Sequence, residues 1–206
     1  MIRFDDCLLI LGRRGCGKSH LAKGLQKLWP RRVVIDTMAE YSNEPGVEKV
    51  FDFDQFAKRL TELAQKREKK FVLVFQFSPE ADAQEDLFNE ILRLCFYFGN
   101  VQIVIEEIQF WSTPHQLPKW LKNCLLIGRH HGLSLLFTSQ RPGQVNKTIL
   151  SQCGHIFCGQ IFEGNDLNYL ANFLNQKSDL LINLPDRQFL YFSKAGLTQI
   201  SNDLGL

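Results

Sequence analysis

A chain of 206 residues, 45% hydrophobic and with a net charge of +2, has the length for one domain, 1–206, built around one large core. Its charge is too close to zero to mark a nucleic-acid binder by itself, and no apolar run approaches the roughly 20 residues that a membrane helix needs. Direct membrane insertion is therefore not expected, and with Asp5 and Asp6 ahead of the first apolar run neither is a signal peptide.

Cys7 to Leu11 reads as the first strand. It leads into Gly12-Arg13-Arg14-Gly15-Cys16-Gly17-Lys18-Ser19, and His20 to Leu28 has the pattern of a helix that Pro30 stops. Strand, glycine-rich loop and helix are the context that the G-x-x-x-x-G-K-[ST] pattern requires. Glycines let successive backbone N–H groups turn toward a phosphate, and the helix N-terminus adds partial positive charge. Gly12 to His20 is thus the expected phosphate cradle, with Lys18 reaching the outer phosphates and the Ser19 hydroxyl on Mg²⁺. The expected cofactors are ATP and Mg²⁺. The first 32 residues carry eight cations against two carboxylates, a surplus that serves a nucleotide, faces a second polyanion or is simply solvated.

Arg32 to Ile35 reads as a short buried strand ending at Asp36, Thr37 to Gly46 as a loop and Val47 to Phe51 as a further short strand. Asp54 to Arg67 has helical spacing at Phe56, Leu60, Leu63 and Ala64, and the charged stretch Lys66 to Lys70 is a solvated turn. Phe71 to Phe77 is a near-continuous apolar strand, and Asp82 to Phe98 is a long helix stopped by Gly99. Val101 to Ile105 is another buried strand, and it ends in Glu106-Glu107. Ligands bind at strand ends in open α/β sheets. One carboxylate there is expected to hold Mg²⁺ through water, which is assigned to Glu106. The other polarises the attacking water, which is assigned to Glu107.

Pro118 to Arg129 reads as a helix and Leu133 to Ser139 as a strand, broken by Pro142-Gly143. Gln140, at the end of that strand, is placed to orient water or sense the γ-phosphate, and Arg129 and Arg141 are both candidates for an arginine finger. Thr148 to Cys153 is a short helix, His155 to Phe162 a strand, Asp166 to Asn175 a helix, and Gln188 to Ser193 with Leu197 to Ile200 a hairpin around Ala195-Gly196. Such alternation predicts an α/β fold: a mostly parallel central sheet flanked by helices, with C-terminal antiparallel edge strands. The six cysteines include no C-x-x-C pair, and Cys153-Gly-His155-Ile-Phe-Cys158 reads as core thiols rather than a zinc site. Cys16 in the loop suits a reducing compartment.

The order of these motifs resembles the FtsK–HerA superfamily, and most of all the genome-packaging ATPases of tailless icosahedral, double-jelly-roll viruses. The residues that carry it are Gly12 to Ser19, Ile35-Asp36 with Glu40-Tyr41-Ser42, Ile105-Glu106-Glu107, Arg129 to Gly132, Thr138 to Pro142, and Ile149 to Cys153 leading into a strand. The resemblance spans about Leu8 to Leu174. It implies a RecA-like, ASCE-type P-loop NTPase core with a strand inserted between the phosphate-loop strand and the carboxylate strand, a place expected for Phe71 to Phe77. It implies ATP hydrolysis coupled to movement of double-stranded DNA through a homo-oligomeric ring, a pentamer or hexamer. In that reading Lys18 and Ser19 take phosphate and Mg²⁺, Glu107 is the base, Gln140 the sensor and Arg129 a finger acting in trans. The family usually has Asp-Glu where this chain has Glu106-Glu107, and the longer first carboxylate still reaches a metal through water. Capsid vertex proteins are a further implied partner, and the host cytoplasm, with virion association, the implied location. His115, Lys119, Lys122 and Lys147 are candidate DNA contacts through phosphates. The alternatives are a cellular or plasmid DNA pump, a phage-assembly ATPase of the membrane-anchored kind, and a small-molecule P-loop kinase, which would need an acceptor pocket and an arginine-rich lid.

Overall fold

Runs of Val, Ile, Leu and Phe with little polar alternation form strands that must be covered on both faces, the usual state of a parallel sheet. Five such strands are β1 (Cys7–Leu11), β2 (Arg31–Asp36), β4 (Phe71–Gln76), β5 (Gln102–Ile105) and β6 (Ser134–Ser139). The computed structural model describes residues 2–41, 44–77, 84–174, 177–193 and 196–201. Within these, β3 (Glu48–Val50), β7 (His155–Cys158), β8 (Gln188–Ser193) and β9 (Gly196–Ser201) complete one sheet of nine strands. The order is β3-β4-β2-β5-β6-β1-β7-β8-β9. All pairings are parallel except β7 with β8 and β8 with β9, so the C-terminal hairpin forms the antiparallel edge.

The expected inserted strand is present, but it is a different segment. β6 lies between β1 and β5, whereas Phe71 to Phe77 supplies β4, beyond β2 on the far side of β5. The apolar run identified a strand, but its place is set by non-local pairing that a local run does not encode.

The helices are α1 (Lys18–Gln26), α2 (Phe53–Gln65), α3 (Gln84–Phe98), α4 (Lys119–Ile127), α5 (Lys147–Gln152) and α6 (Gly164–Ala171). The Asp52 side chain caps α2 by accepting the Gln55 N–H at 2.8 Å, and Phe56, Leu60 and Leu63 form its buried stripe. Leu8, Ile10, Val34, Val104 and Leu136 face α1, while Leu9, Leu11, Val33, Ile103 and Phe137 face the opposite layer, to which α2 to α6 contribute. Alternate residues of each strand thus feed two separate cores.

Several boundaries differ from expectation for local reasons. Gly17, in a left-handed conformation, starts α1 two residues early. After Ile127 the chain tightens into a 3₁₀ turn, Gly128–His131. β7 stops at Cys158 because Gly159 and Gln160 continue alongside the phosphate loop instead, with the Gly159 N–H on the Leu11 carbonyl at 2.8 Å and the Arg13 N–H on the Gln160 carbonyl at 2.8 Å. The readings placed on Ser42, Asp82, Asn175 and Ala195 lie outside the described residues.

Candidate functional site at the C-terminal edge of the sheet

The loop after β1 curls because its glycines adopt backbone angles that other residues resist. Gly17 caps α1 at φ 102°. A Cβ on Gly12 would sit 2.7 Å from the Cys16 sulfur and 3.2 Å from Gly159. Cys16 is buried beneath the loop, and burial pushes its thiol up despite the nearby Lys18 and Arg13. It therefore acts as neutral packing under the cradle, and any phosphate contact it makes is through its backbone. Lys18 is buried, and its ammonium arches back to the Arg13 carbonyl at 3.1 Å. Ser19 is half-buried at the start of α1, with Arg14 and His20 exposed beside it.

The carboxylate pair lies at the end of β5, with β6 between it and β1. Glu106 and Glu107 are both buried but face different partners. Glu106 accepts from the Tyr41 hydroxyl at 3.2 Å and the Thr138 hydroxyl at 3.1 Å. Burial, reinforced by Glu40 and Asp36, raises its pKa to about 7 against the pull of those two hydroxyls. Burial and the Glu106 charge in turn hold the Tyr41 phenol well above its ordinary value. Asp36, fully buried at the end of β2, accepts the backbone N–H groups of Met38, Glu40 and Tyr41 and so fixes the loop that carries Tyr41.

Glu107 has left-handed backbone angles, φ 51° and ψ 62°, which cost a non-glycine residue about 1–3 kcal/mol. The turn points its carboxylate toward β6. There Oε1 accepts the Gln140 side-chain amide at 2.7 Å, while Oε2 accepts the Gln140 backbone N–H at 3.1 Å and the Gln109 amide at 2.6 Å. The Thr138 hydroxyl links the pair, accepting the Glu107 N–H at 3.0 Å while donating to Glu106. Three donors on one buried carboxylate fix its direction. Sequence reasoning found Glu106, Glu107 and Gln140. It missed Thr138 and Gln109 as their holders and Tyr41 and Asp36 as the support beneath, although Asp36, Tyr41 and Thr138 stood in the motif order.

The two arginines lie in different places. Arg141 sits at the same edge, its guanidinium 2.9 Å from Glu163 and 3.5 Å from Asp166. Arg129 is at the opposite edge, exposed in the turn ahead of β6. It lines a cavity of about 310 Å³ with its neighbour His130, with Arg3, Asp6 and Cys7 at the start of β1, and with Gly154 ahead of β7. The five residues of β1 span about 17 Å, so Arg129 cannot reach the phosphate loop of its own chain. The four candidate DNA contacts are all exposed, and Asn146 ties two of their segments together by donating to the Thr113 and Pro114 carbonyls at 3.0 and 3.2 Å. The six cysteines are free, with the Cys7 and Cys153 sulfurs 2.7 Å apart. Among the described residues no group of three or more His, Cys, Asp or Glu is arranged as a metal cage, and no helix is long and apolar enough to cross a membrane.

A glycine-rich loop after β1, carboxylates after β5 and a polar strand end on β6 between them define the RecA-like P-loop NTPase fold. Solved structures give particular counterparts. The genome packaging NTPase B204 from Sulfolobus turreted icosahedral virus 2, in complex with AMPPCP, matches with a TM-score of 0.75 at 20% identity, over 96% of this chain and 97% of that one. The pCW3 conjugation coupling protein TcpA, with ATPgS, matches with a TM-score of 0.62 at 16% identity, over 97% of this chain and 61% of that one. Protein P9 of Pseudoalteromonas phage PM2 is 22% identical over 195 residues, 91% of this chain and 85% of the phage protein. No protein-family profile matches the chain.

Proposed function

We propose that the chain is an ATP-hydrolysing translocase of double-stranded DNA, of the kind that packages a viral genome. The observation that carries this reading is the buried Glu107, clamped by Gln140 and Gln109 at the end of β5, with β6 between it and the β1 that bears the phosphate loop. Such a carboxylate is built to activate water, which separates a hydrolase from a kinase. The fold likeness to a genome packaging NTPase and to a conjugation coupling protein supports DNA as the polymer moved. The coupling protein keeps a cellular or plasmid transfer role as the second reading.

The residues present fit a Mg²⁺-bound nucleotide. The Ser19 hydroxyl and the Glu106 carboxylate are the two donors that an ion held mainly by phosphates and water requires, and the charge gathered by Glu106, Asp36 and Glu40 favours a cation nearby. When bound, Mg²⁺ neutralises charge on the outer phosphates. The loop from Gly12 to His20 holds the phosphates through N–H groups beyond those of Gly12 and Arg13, which bond the Ser139 and Gln160 carbonyls, and Lys18 leaves the Arg13 carbonyl to pair with them. Glu107 takes the proton of the attacking water, and Gln140, hydrogen-bonded to it, couples that carboxylate to the outer phosphate. Arg129 of one subunit completes the site of the next, because its own loop lies beyond its reach. The active unit is then a homo-oligomeric ring, pentameric or hexameric, acting in the host cytoplasm and at the capsid vertex. His115, Lys119, Lys122 and Lys147 contact DNA phosphates.

The test is phosphate release from ATP, with and without double-stranded DNA, by the wild type and Glu107→Gln. DNA-stimulated release that the variant loses supports the reading. An absolute requirement for a small phosphate acceptor would replace it with a kinase.

A further inference from the structure

The sheet order fixes which way a nucleoside triphosphate lies, and this inference rests on the nucleotide reading above. β5 and β6, with Glu107 and Gln140, flank β1 on one side, and β7 and β8 flank it on the other. The outer phosphate has to face the carboxylates. The phosphates therefore run across the loop away from β6, and the nucleoside comes to lie over the ends of β7 and β8.

The residues waiting there are unusual for a surface. Phe162, just past β7, is 58% exposed, and Leu180 and Ile182 beside it are also exposed. The two segments are joined by the Ile161 N–H on the Leu181 carbonyl at 3.3 Å and the Gln160 amide on the Ile182 carbonyl at 3.0 Å. They are joined to the phosphate loop as well. The Arg13 N–H bonds the Gln160 carbonyl and the Arg187 N–H bonds the Cys16 carbonyl at 3.1 Å. The Arg13 guanidinium lies over the Phe162 ring, 5.3 Å from its centroid, and also bonds Gln160 and Asp186 at 2.7 Å each. A flat cation from the phosphate loop thus already occupies an exposed aromatic face at the nucleoside end of the site.

We propose that Phe162 is the nucleobase platform, on which the base of the bound triphosphate stacks in the place that the Arg13 guanidinium holds. The exchange replaces a cation–π contact with a base–aromatic stack and releases Arg13 toward the phosphates beside it. Leu180 and Ile182 extend the apolar ledge along the base and ribose.

The experiment compares titration of MgATP with titration of magnesium tripolyphosphate, which has the phosphates and no base, on the wild type, Phe162→Ala and Phe162→Trp. Base stacking lost to alanine corresponds to about a tenfold weakening. Phe162→Ala should therefore weaken MgATP about tenfold and tripolyphosphate less than twofold, with Phe162→Trp restoring MgATP. Unchanged MgATP affinity in Phe162→Ala overturns the platform and leaves the translocase reading intact. Equal weakening of both ligands also overturns it and makes Phe162 a support of the loop or of a subunit contact. A wild-type protein that binds neither ligand removes the nucleotide reading itself.

Discussion

The two ends of the sheet are built on opposite terms. At the C-terminal end the chain holds positive backbone angles at Gly12, Gly15, Gly17 and Glu107, buries two adjacent carboxylates and turns a lysine onto its own loop. At the N-terminal end positive angles recur at Gly99, Asn100 and Gly132 and the buried Nε atoms of Arg31 and Arg32 lack a hydrogen-bond partner among the described residues, but one polar cluster is matched within itself. The His155 ring bonds Asp6 at 3.0 Å and Tyr191 at 2.7 Å, and the Ser134 hydroxyl donates to the Asp6 carbonyl at 2.8 Å. The first arrangement places strain and charge where the nucleotide is proposed to bind, and the second ties β1, β6, β7 and β8 together. Arg129 is an exposed cation at that same end.

The largest effects should come from the strained end. Glu107→Gln keeps the shape but loses the proton acceptor, and steady-state hydrolysis should fall by about 10²–10⁴-fold while MgATP binding persists. Lys18→Ala should lose both, as read by hydrolysis and by titration with MgATP. The next effect crosses subunits. Arg129→Ala should cut hydrolysis about 10³-fold, and mixing it with Glu107→Gln protein should restore part of the activity. In such mixed assemblies an intact site pairs the Glu107 of one variant with the Arg129 of the other. A mixture no more active than its parts would confine Arg129 to the N-terminal end.

How much of this was legible follows from the range of each signal. Gly12 to Ser19, Glu106-Glu107 and Gln140 lie at strand ends, where a local run of residue types states the chemistry. The identity of the strand between β1 and β5 was not legible, because Phe71 to Phe77 and Leu133 to Ser139 are both apolar runs of strand length and only distant pairing fixes their places. The hydroxyls of Tyr41 and Thr138 were illegible for a similar reason. Each becomes a partner of Glu106 only once β2, β5 and β6 lie side by side.

A smaller effect concerns pH. The Glu106 pKa rises from an ordinary carboxyl value to about 7 on folding, so the folded protein binds more protons than the unfolded chain between those values. Its stability without nucleotide should therefore fall as pH rises through about 4.5–7, by on the order of 3 kcal/mol. Affinity for Mg²⁺-nucleotide should rise over the upper part of the same window as the carboxylate ionises. Glu106→Gln should flatten both profiles, which thermal unfolding and titration at a series of pH values would measure. The smallest effect belongs to the N-terminal end. His155→Ala should cost about 1–3 kcal/mol of stability by taking the imidazole partner from the Tyr191 hydroxyl and leaving the Asp6 carboxylate to Arg3 alone, with hydrolysis per folded subunit unchanged. A loss of hydrolysis without loss of stability would erase the division between the two ends.

The central claim is that the strained end works only when another subunit and DNA complete it. Its most direct test is the ATP hydrolysis rate with and without double-stranded DNA, measured together with the mass of the species that hydrolyses. The expected result is a ring-sized assembly that hydrolyses ATP faster on DNA, with a stimulation that falls steeply as salt is added. A monomer that hydrolyses ATP at the same rate with and without DNA would contradict it.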